Sequence, residues 1–325
     1  MGGPEGIADL WAAAAAAVTA CLAVTAFAPP FLTVVGRRCG EKIKSASVRL
    51  DTLQRAKAET PTMGGLIVVA GVTLAAVVWG DVGSVAVRAT LLAFVGFAAI
   101  GACDDVIKLR SSRRGLSPRQ KSLMQAGVAV AVVVPIVGGP ADATASAWCL
   151  HFAWVAWGVF VVVGSSNGVN LTDGMDGLAG GCAVTAATGL TFAIASAGGE
   201  SGEVAVVTAA LAGGLLGFLR FNRFPARVFM GDTGALAVGG AIGTAAVATR
   251  CEWLLAVCGG VFVVETLSVI AQVAGRDLFG RKPLLCSPLH NHFLFAGVAE
   301  PRIVARFWAA SAALTTTALA VLRFV

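Results

Sequence analysis

The sequence predicts an all-α polytopic membrane protein with about ten transmembrane helices. Three observations carry this. Charged residues make up 13% of the 325 positions and hydrophobic ones 57%, whereas soluble domains carry roughly 25% charged residues. Mean hydropathy is +0.83. The apolar residues also gather in runs near the length, about 20 residues, that spans hydrocarbon. A soluble chain this apolar would expose large sticky patches, and a bilayer solvates that surface.

Ten such runs lie near 10–34, 63–80, 84–102, 123–139, 147–166, 178–197, 203–220, 233–249, 252–274 and 303–323. Before the first, Met1 to Leu10 holds Glu5 and Asp9 but no Lys or Arg. It therefore lacks the positive start of a secretory signal and reads as the approach to a retained span. The alanine run Ala12 to Ala17 reads as a small-residue helix face. The second run opens after Pro61 and Thr62, ordinary residues for a helix start. The third ends at Asp104 and Asp105, the fourth is short, and the ninth contains Glu265. Turns with Gly and acidic residues, such as Gly80 to Ser84 and Gly198 to Glu203, join alternate spans. No soluble domain or internal repeat interrupts the series, so residues 1–325 read as one integral membrane domain.

The net charge of +6 is confined to alternate loops. Arg37, Arg38, Lys42, Lys44, Arg49, Arg55 and Lys57 fill the first, and Lys108, Arg110, Arg113, Arg114, Arg119 and Lys121 the third. Arg220, Arg223 and Arg227 follow in the seventh, and Arg276, Arg281, Lys282 and Arg302 in the ninth. The remaining loops and termini hold only Arg88, Arg250 and Arg323. This asymmetry puts the odd-numbered loops in the cytoplasm and both termini outside. It also accounts for the basicity without nucleic acid. The eight cysteines form no CxxC pair, so neither a disulfide framework nor a zinc site is expected.

The same odd-numbered loops carry the unusual polar residues. Thr60 to Gly65 opens the second span, just after Lys57. Asp104 and Asp105 end an apolar run, where carboxylates are costly. Neighbours on a helix diverge by about 100°, so the two should serve different partners, with Lys108 in helical reach. Asn167 to Gly177 holds Asn170, Asp173 and Asp176 among glycines and no Lys or Arg. These oxygens suit Mg²⁺ or sugar and base hydroxyls, and glycines admit a close ligand. Phe221 to Gly234 brings Asn222, Phe229, Gly231 and Asp232 to the start of a span, and an aromatic such as Phe229 stacks bases. In the last loop, His290 and His292 are two of only three histidines. Without further Cys or His they fit substrate or phosphate contact better than zinc. Five carboxylates with several lysines and no activated Ser or Cys fit phosphoryl transfer, which needs positioning and charge neutralisation.

These segments resemble the phospho-N-acetylmuramoyl-pentapeptide transferase family. Thr60-Pro61-Thr62-Met63-Gly64-Gly65, Asp104-Asp105 with Lys108, Asn170 to Gly174, Val228 to Asp232, and Glu300-Pro301-Arg302 with Arg306-Phe307-Trp308 stand in the family's order. The resemblance implies ten helices around a cytoplasmic-face active-site cleft and a Mg²⁺ cofactor held by Asp232. Asp104 and Asp105 would join Asp232 as catalytic residues, one of the pair a candidate base. Asn170, Asp173 and Asp176 would line the nucleotide pocket, with Phe229 and Asn222 at the uracil end. Lys57, Thr62, Lys108 and Lys121 would hold phosphates or the lipid carrier, and Gly231, His290 and His292 would also face substrate. The implied partners are UDP-N-acetylmuramoyl-pentapeptide, undecaprenyl phosphate and the bilayer of the inner (plasma) membrane, and a homodimer is compatible with them. The products would be lipid I, the first lipid-linked peptidoglycan precursor, and UMP. The chain departs from the family at Asn291, where a third consecutive histidine is usual, and at Leu53-Gln54, Glu59 and Ala235.

Two alternatives stand beside this reading. A sister branch, UDP-N-acetylglucosamine:polyprenyl-phosphate N-acetylglucosamine-1-phosphate transferase, shares the Asp pair and the Asn-Asp loop. A transporter would explain Glu265 within a span, but it should concentrate polar residues near the midplane rather than at one face.

Overall fold

In the computed structural model, residues 4–34, 57, 60–111, 115–140, 144–198 and 202–322 are described. Most of the first basic loop, including Arg37, Arg38, Lys42, Lys44, Arg49, Leu53, Gln54, Arg55 and Glu59, lies outside them, as do Arg113, Arg114 and Arg323. The twelve elements among the described residues are all helices. They are α1 (Pro4–Val34), α2 (Gly65–Trp79), α3 (Val85–Arg110), α4 (Pro118–Val137), α5 (Ala145–Thr172) and α6 (Leu178–Ala197), then α7 (Val204–Asn222), α8 (Gly231–Ala248), α9 (Glu252–Cys258), α10 (Gly260–Phe279), α11 (Leu289–Phe295) and α12 (Glu300–Leu322).

Every predicted apolar run is helical. Seven helices, α1, α3, α4, α5, α6, α7 and α12, are long and apolar enough to cross a membrane, and the bent pair α9–α10 makes eight. The chain is thus a multi-pass membrane protein. The other two runs differ in kind. Helix α2 is short, with 15 residues, and α8 is diluted by glycines and Asp232 but buried from Thr233 to Val247. A helix wrapped in protein need not be apolar enough for lipid. The ninth run breaks by 80° between α9 and α10, at Gly259-Gly260, where a glycine pair weakens the helical ladder.

Two buried helices organise the bundle. Helix α8 packs chiefly between α3 and α5, while α7 packs against α1, α6 and α2. Side chains such as Leu92, Leu123, Phe160 and Trp253 point outward and are exposed, as lipid contact requires. The alanine-rich face of α1 is the small-residue surface the sequence predicts: Ala13, Ala16, Ala20, Val24 and Ala28 are buried. It lets two backbones approach closely.

A Cβ at Gly213 of α7 would fall 2.6 Å from the Ala17 Cα and carbonyl carbon. Backbone cannot swing aside as a side chain can, so Gly213→Ala should destabilise the bundle by about 1–3 kcal/mol. A lowered thermal midpoint in detergent would show this. Gly164→Ala is the control, because its Cβ would enter open space; a midpoint falling equally there would sink the assignment.

Candidate active site

The ends of α3 and α5 and the starts of α4, α8 and α12 meet at one end of the bundle. Helix α3 runs past the predicted limit at 102 and carries Asp104, Asp105 and Lys108 in its last two turns. Helix α5 likewise continues through Asn170 to Thr172, so half of the segment read as a loop is helix. Asp173 is its C-cap residue. A Cβ at Gly101 would sit 2.5 Å from Thr233 N, so glycine there lets α3 touch the backbone at the start of α8.

At that contact the two adjacent aspartates diverge, as their helical offset predicts. Asp105 turns to α8: its Oδ1 accepts from Asp232 N (3.2 Å), and its Oδ2 accepts from Thr233 N (2.9 Å) and Thr233 Oγ1 (2.6 Å). It thereby caps α8 from another helix, placing a negative charge at a helix N-terminus, where the macrodipole favours it. Asp104 turns the other way. Its Oδ1 accepts from Leu116 N at 2.7 Å, and its Oδ2 lies 2.7 Å from Lys108 Nζ.

Asp232 closes the group. Its Oδ2 is 3.1 Å from Lys108 Nζ and 2.5 Å from Lys121 Nζ, and its Oδ1 accepts from Asn170 Nδ2 at 3.1 Å. One oxygen from each of Asp104, Asp105 and Asp232 lies within 4.8 Å of the others. Three carboxylates therefore face two ammonium groups, drawn from three helices, with the Asn170 amide from a fourth. Below them Gln125 and Asn167 exchange side-chain amide hydrogen bonds between α4 and α5 (3.3 and 2.9 Å).

The segment 61–65 frames the same spot. Phe229 N donates to Pro61 O, while Gly64 N and Gly65 N donate to Phe229 O and Met230 O, all at 2.8 Å. Met63 and Gly231 both have positive φ, 66° and 70°. The first is strained for a side-chain-bearing residue; the second is where glycine is required, since its Cβ would also meet Asp105 Oδ2 at 2.7 Å and Thr62 Oγ1 at 2.9 Å. Thr62 is buried and Phe229 half-buried here.

A second polar network adjoins the first. Lys57 Nζ lies 2.6 Å from Asp176 Oδ1 and 2.5 Å from Glu300 Oε1. Glu300 Oε1 also accepts from Asp176 N (2.8 Å), and Asp176 Oδ2 accepts from Ala226 N (2.9 Å). Asn222 accepts from Gly177 N (3.1 Å) and donates to Val228 O (2.9 Å). Trp308 Nε1 donates to Gly177 O (3.1 Å).

The histidines sit at the third side. His290 is buried in α11, with its N donating to Glu265 Oε1 at 3.1 Å. Its Nδ1 is 3.2 Å from Glu265 Oε2, close but not aligned for a hydrogen bond. Its ring lies against Gly174, where a Cβ would clash with Nε2. Glu265 thus ties the bent helix α10 to α11 rather than lining a path. His292 Nδ1 accepts from Leu285 N (3.2 Å), and the Asn291 that replaces a family histidine is buried with its Oδ1 unpartnered.

Asp104, Asp105, Lys108, Lys121, Asn170 and Asp232 are therefore brought together directly. Lys57, Asp176 and Asn222 join through the second network, and His290 through Gly174. Sequence reasoning missed Thr233 and Glu300 as members, and it named His290 without its partner Glu265. Glu300 stood in the quoted tail motif, but nothing in the tail names a partner 124 positions away.

The glycosyl transferase family 4 profile matches residues 87–250, the stretch that holds the acid and lysine cluster. Proteins named phospho-N-acetylmuramoyl-pentapeptide-transferase from two strains of Nitratidesulfovibrio vulgaris are each 42% identical over 295 residues, covering 84% of this chain and 82% of theirs. One from Desulfosudis oleivorans is 39% identical over 290 residues, covering 82% and 81%. Likeness of this depth over most of both lengths means that the chain belongs to the phospho-N-acetylmuramoyl-pentapeptide-transferase family, within the reach of the glycosyl transferase family 4 profile.

Proposed function

We propose that this transferase moves phospho-N-acetylmuramoyl-pentapeptide from its UDP carrier to undecaprenyl phosphate at the cytoplasmic face of the plasma membrane, yielding lipid I and UMP. The observation that carries the reading is the cluster of Asp104, Asp232, Lys108 and Lys121 at one end of a bundle of membrane helices. A diphosphate donor and a phosphate acceptor bring several negative charges to one place, and paired lysines neutralise them. An oxygen of the lipid phosphate attacks the sugar-linked phosphorus. The bond to the UMP oxygen breaks, and UMP leaves with that electron pair. The attacking phosphate is already anionic, so no strong base is needed.

The oxygen donors of Asp232 and Asp104 fit a Mg²⁺ ion, which prefers carboxylates and phosphates. Asp232 would hold it with Asp104 beside, and bound there it would neutralise phosphate oxygens. Asp105 fits that part less well, because both its oxygens accept backbone N–H groups at the start of α8, whereas Asp232 accepts only from side chains, which can swing aside for an ion. We assign it the task of orienting Asp232. Asn170, Asp173 and Asp176 would face the nucleotide, with Phe229 at the base.

The test follows UMP release from UDP-N-acetylmuramoyl-pentapeptide by detergent-purified protein, with undecaprenyl phosphate and with or without Mg²⁺. Release that needs both the lipid and the ion is expected. Release only from UDP-N-acetylglucosamine would move the chain to the sister activity, and release from neither would overturn the transferase reading of this site.

A further inference from the structure

Glu300 has an arrangement that the proposed chemistry does not use. It opens α12 and carries a nearly buried carboxylate, 12% exposed, beside Lys57 (16%) and Asp176 (4%). One oxygen, Oε1, accepts from both Lys57 Nζ and Asp176 N. Asp176 belongs to the turn between α5 and α6, and its Oδ2 accepts in turn from Ala226 N. Glu300 thus joins α12 to Lys57, at the end of the first loop, and to the turn 173–177. A buried carboxylate with two donors, one of them cationic, fixes position far more firmly than a surface pair.

We infer that Glu300 is a positioning residue for the nucleotide end of the site, setting Lys57 and the turn 173–177 while making no substrate contact itself. The inference rests on the reading of that turn as the donor-binding element. It predicts an asymmetric defect. The acid cluster draws on α3, α4, α5 and α8 and is independent of Glu300. Loss of Glu300 should therefore weaken donor binding and spare the lipid acceptor.

The experiment measures UMP release by full-length protein while each substrate is varied in turn, for wild type, Glu300→Ala, Glu300→Gln and Glu300→Asp, alongside thermal midpoints. Glu300→Ala should raise the donor KM by about tenfold or more, the loss of a charge-assisted bond, with the lipid KM and the Mg²⁺ dependence unchanged. Glu300→Gln keeps an acceptor oxygen at the same reach but not the charge, and should recover part of the loss. Glu300→Asp keeps the charge but falls short by one methylene and should not recover it. If Glu300→Ala fails to fold, the contrast between the Gln and Asp variants decides. An unchanged donor KM in an active, folded variant overturns the inference alone, as does a rise in both KM values together. Wild-type protein that releases no UMP from this donor overturns the functional reading instead.

Discussion

Asp232→Ala is expected to lower UMP release by about a thousandfold or more, while the protein remains folded. Asp232 is where the charges converge, with one oxygen taking both Lys108 and Lys121 and the other taking Asn170. Without it, two ammonium groups lose the anion they share, and the proposed Mg²⁺ site loses its main oxygen donor. A thousandfold corresponds to about 4 kcal/mol of transition-state stabilisation, the upper range for one preorganised electrostatic group. Asp104 keeps its bond to Lys108, 2.7 Å away, so the fold has little reason to change. Two readouts check this together: UMP release against Mg²⁺ concentration, and the thermal midpoint. Residual release should no longer respond to Mg²⁺. A variant that retains full Mg²⁺-dependent activity would remove Asp232 from the site.

Asp105→Ala should cost about a hundredfold in kcat, for a different reason. Three donors at the start of α8, two backbone N–H groups and the Thr233 hydroxyl, share this one carboxylate. Each hydrogen bond to a charged acceptor contributes about 1.5–3 kcal/mol, and an orphaned buried donor costs further. Helix α8 would then shift at the end that bears Asp232. Asp105→Asn retains one accepting oxygen and should fall between Ala and wild type. A graded series with the pH profile of kcat unchanged in shape supports orientation. Equal loss in both variants, with the low-pH limb of the profile gone, would make Asp105 a proton acceptor instead.

Much of this was legible in the sequence, because apolar runs in a membrane chain have few options. The run read as 178–197 coincides with α6, Leu178–Ala197. Hydropathy misjudged helix ends wherever charge began. It stopped the third span at 102, although α3 continues to Arg110, since Asp104 and Lys108 satisfy one another along the helix. It was also blind to the break at Gly259-Gly260, which is a property of the backbone. Among site residues, Asp104, Lys108, Lys121, Asn170 and Asp232 stood out as ionisable or amide groups beside apolar runs. Glu300 with Lys57, and Glu265 with His290, did not stand out as pairs. Which distant charges meet is decided by packing of α10, α11 and α12, and no local pattern records it.

The burial of α8 also bears on the order in which the chain is made. Its principal neighbours, α3, α5 and α2, are all synthesised before it, and α9 is the main later one. Domains generally assemble from the N-terminus during synthesis, so a poorly apolar helix enters a slot already built to receive it. Asp104, Lys121, Asn170 and Asp232 can then meet while α10 to α12 are still unmade, whereas Lys57 must wait for Glu300 and Glu265 for His290. Lesions in the last third of the chain should therefore leave nascent protein with its acids and lysines gathered and its nucleotide end unformed.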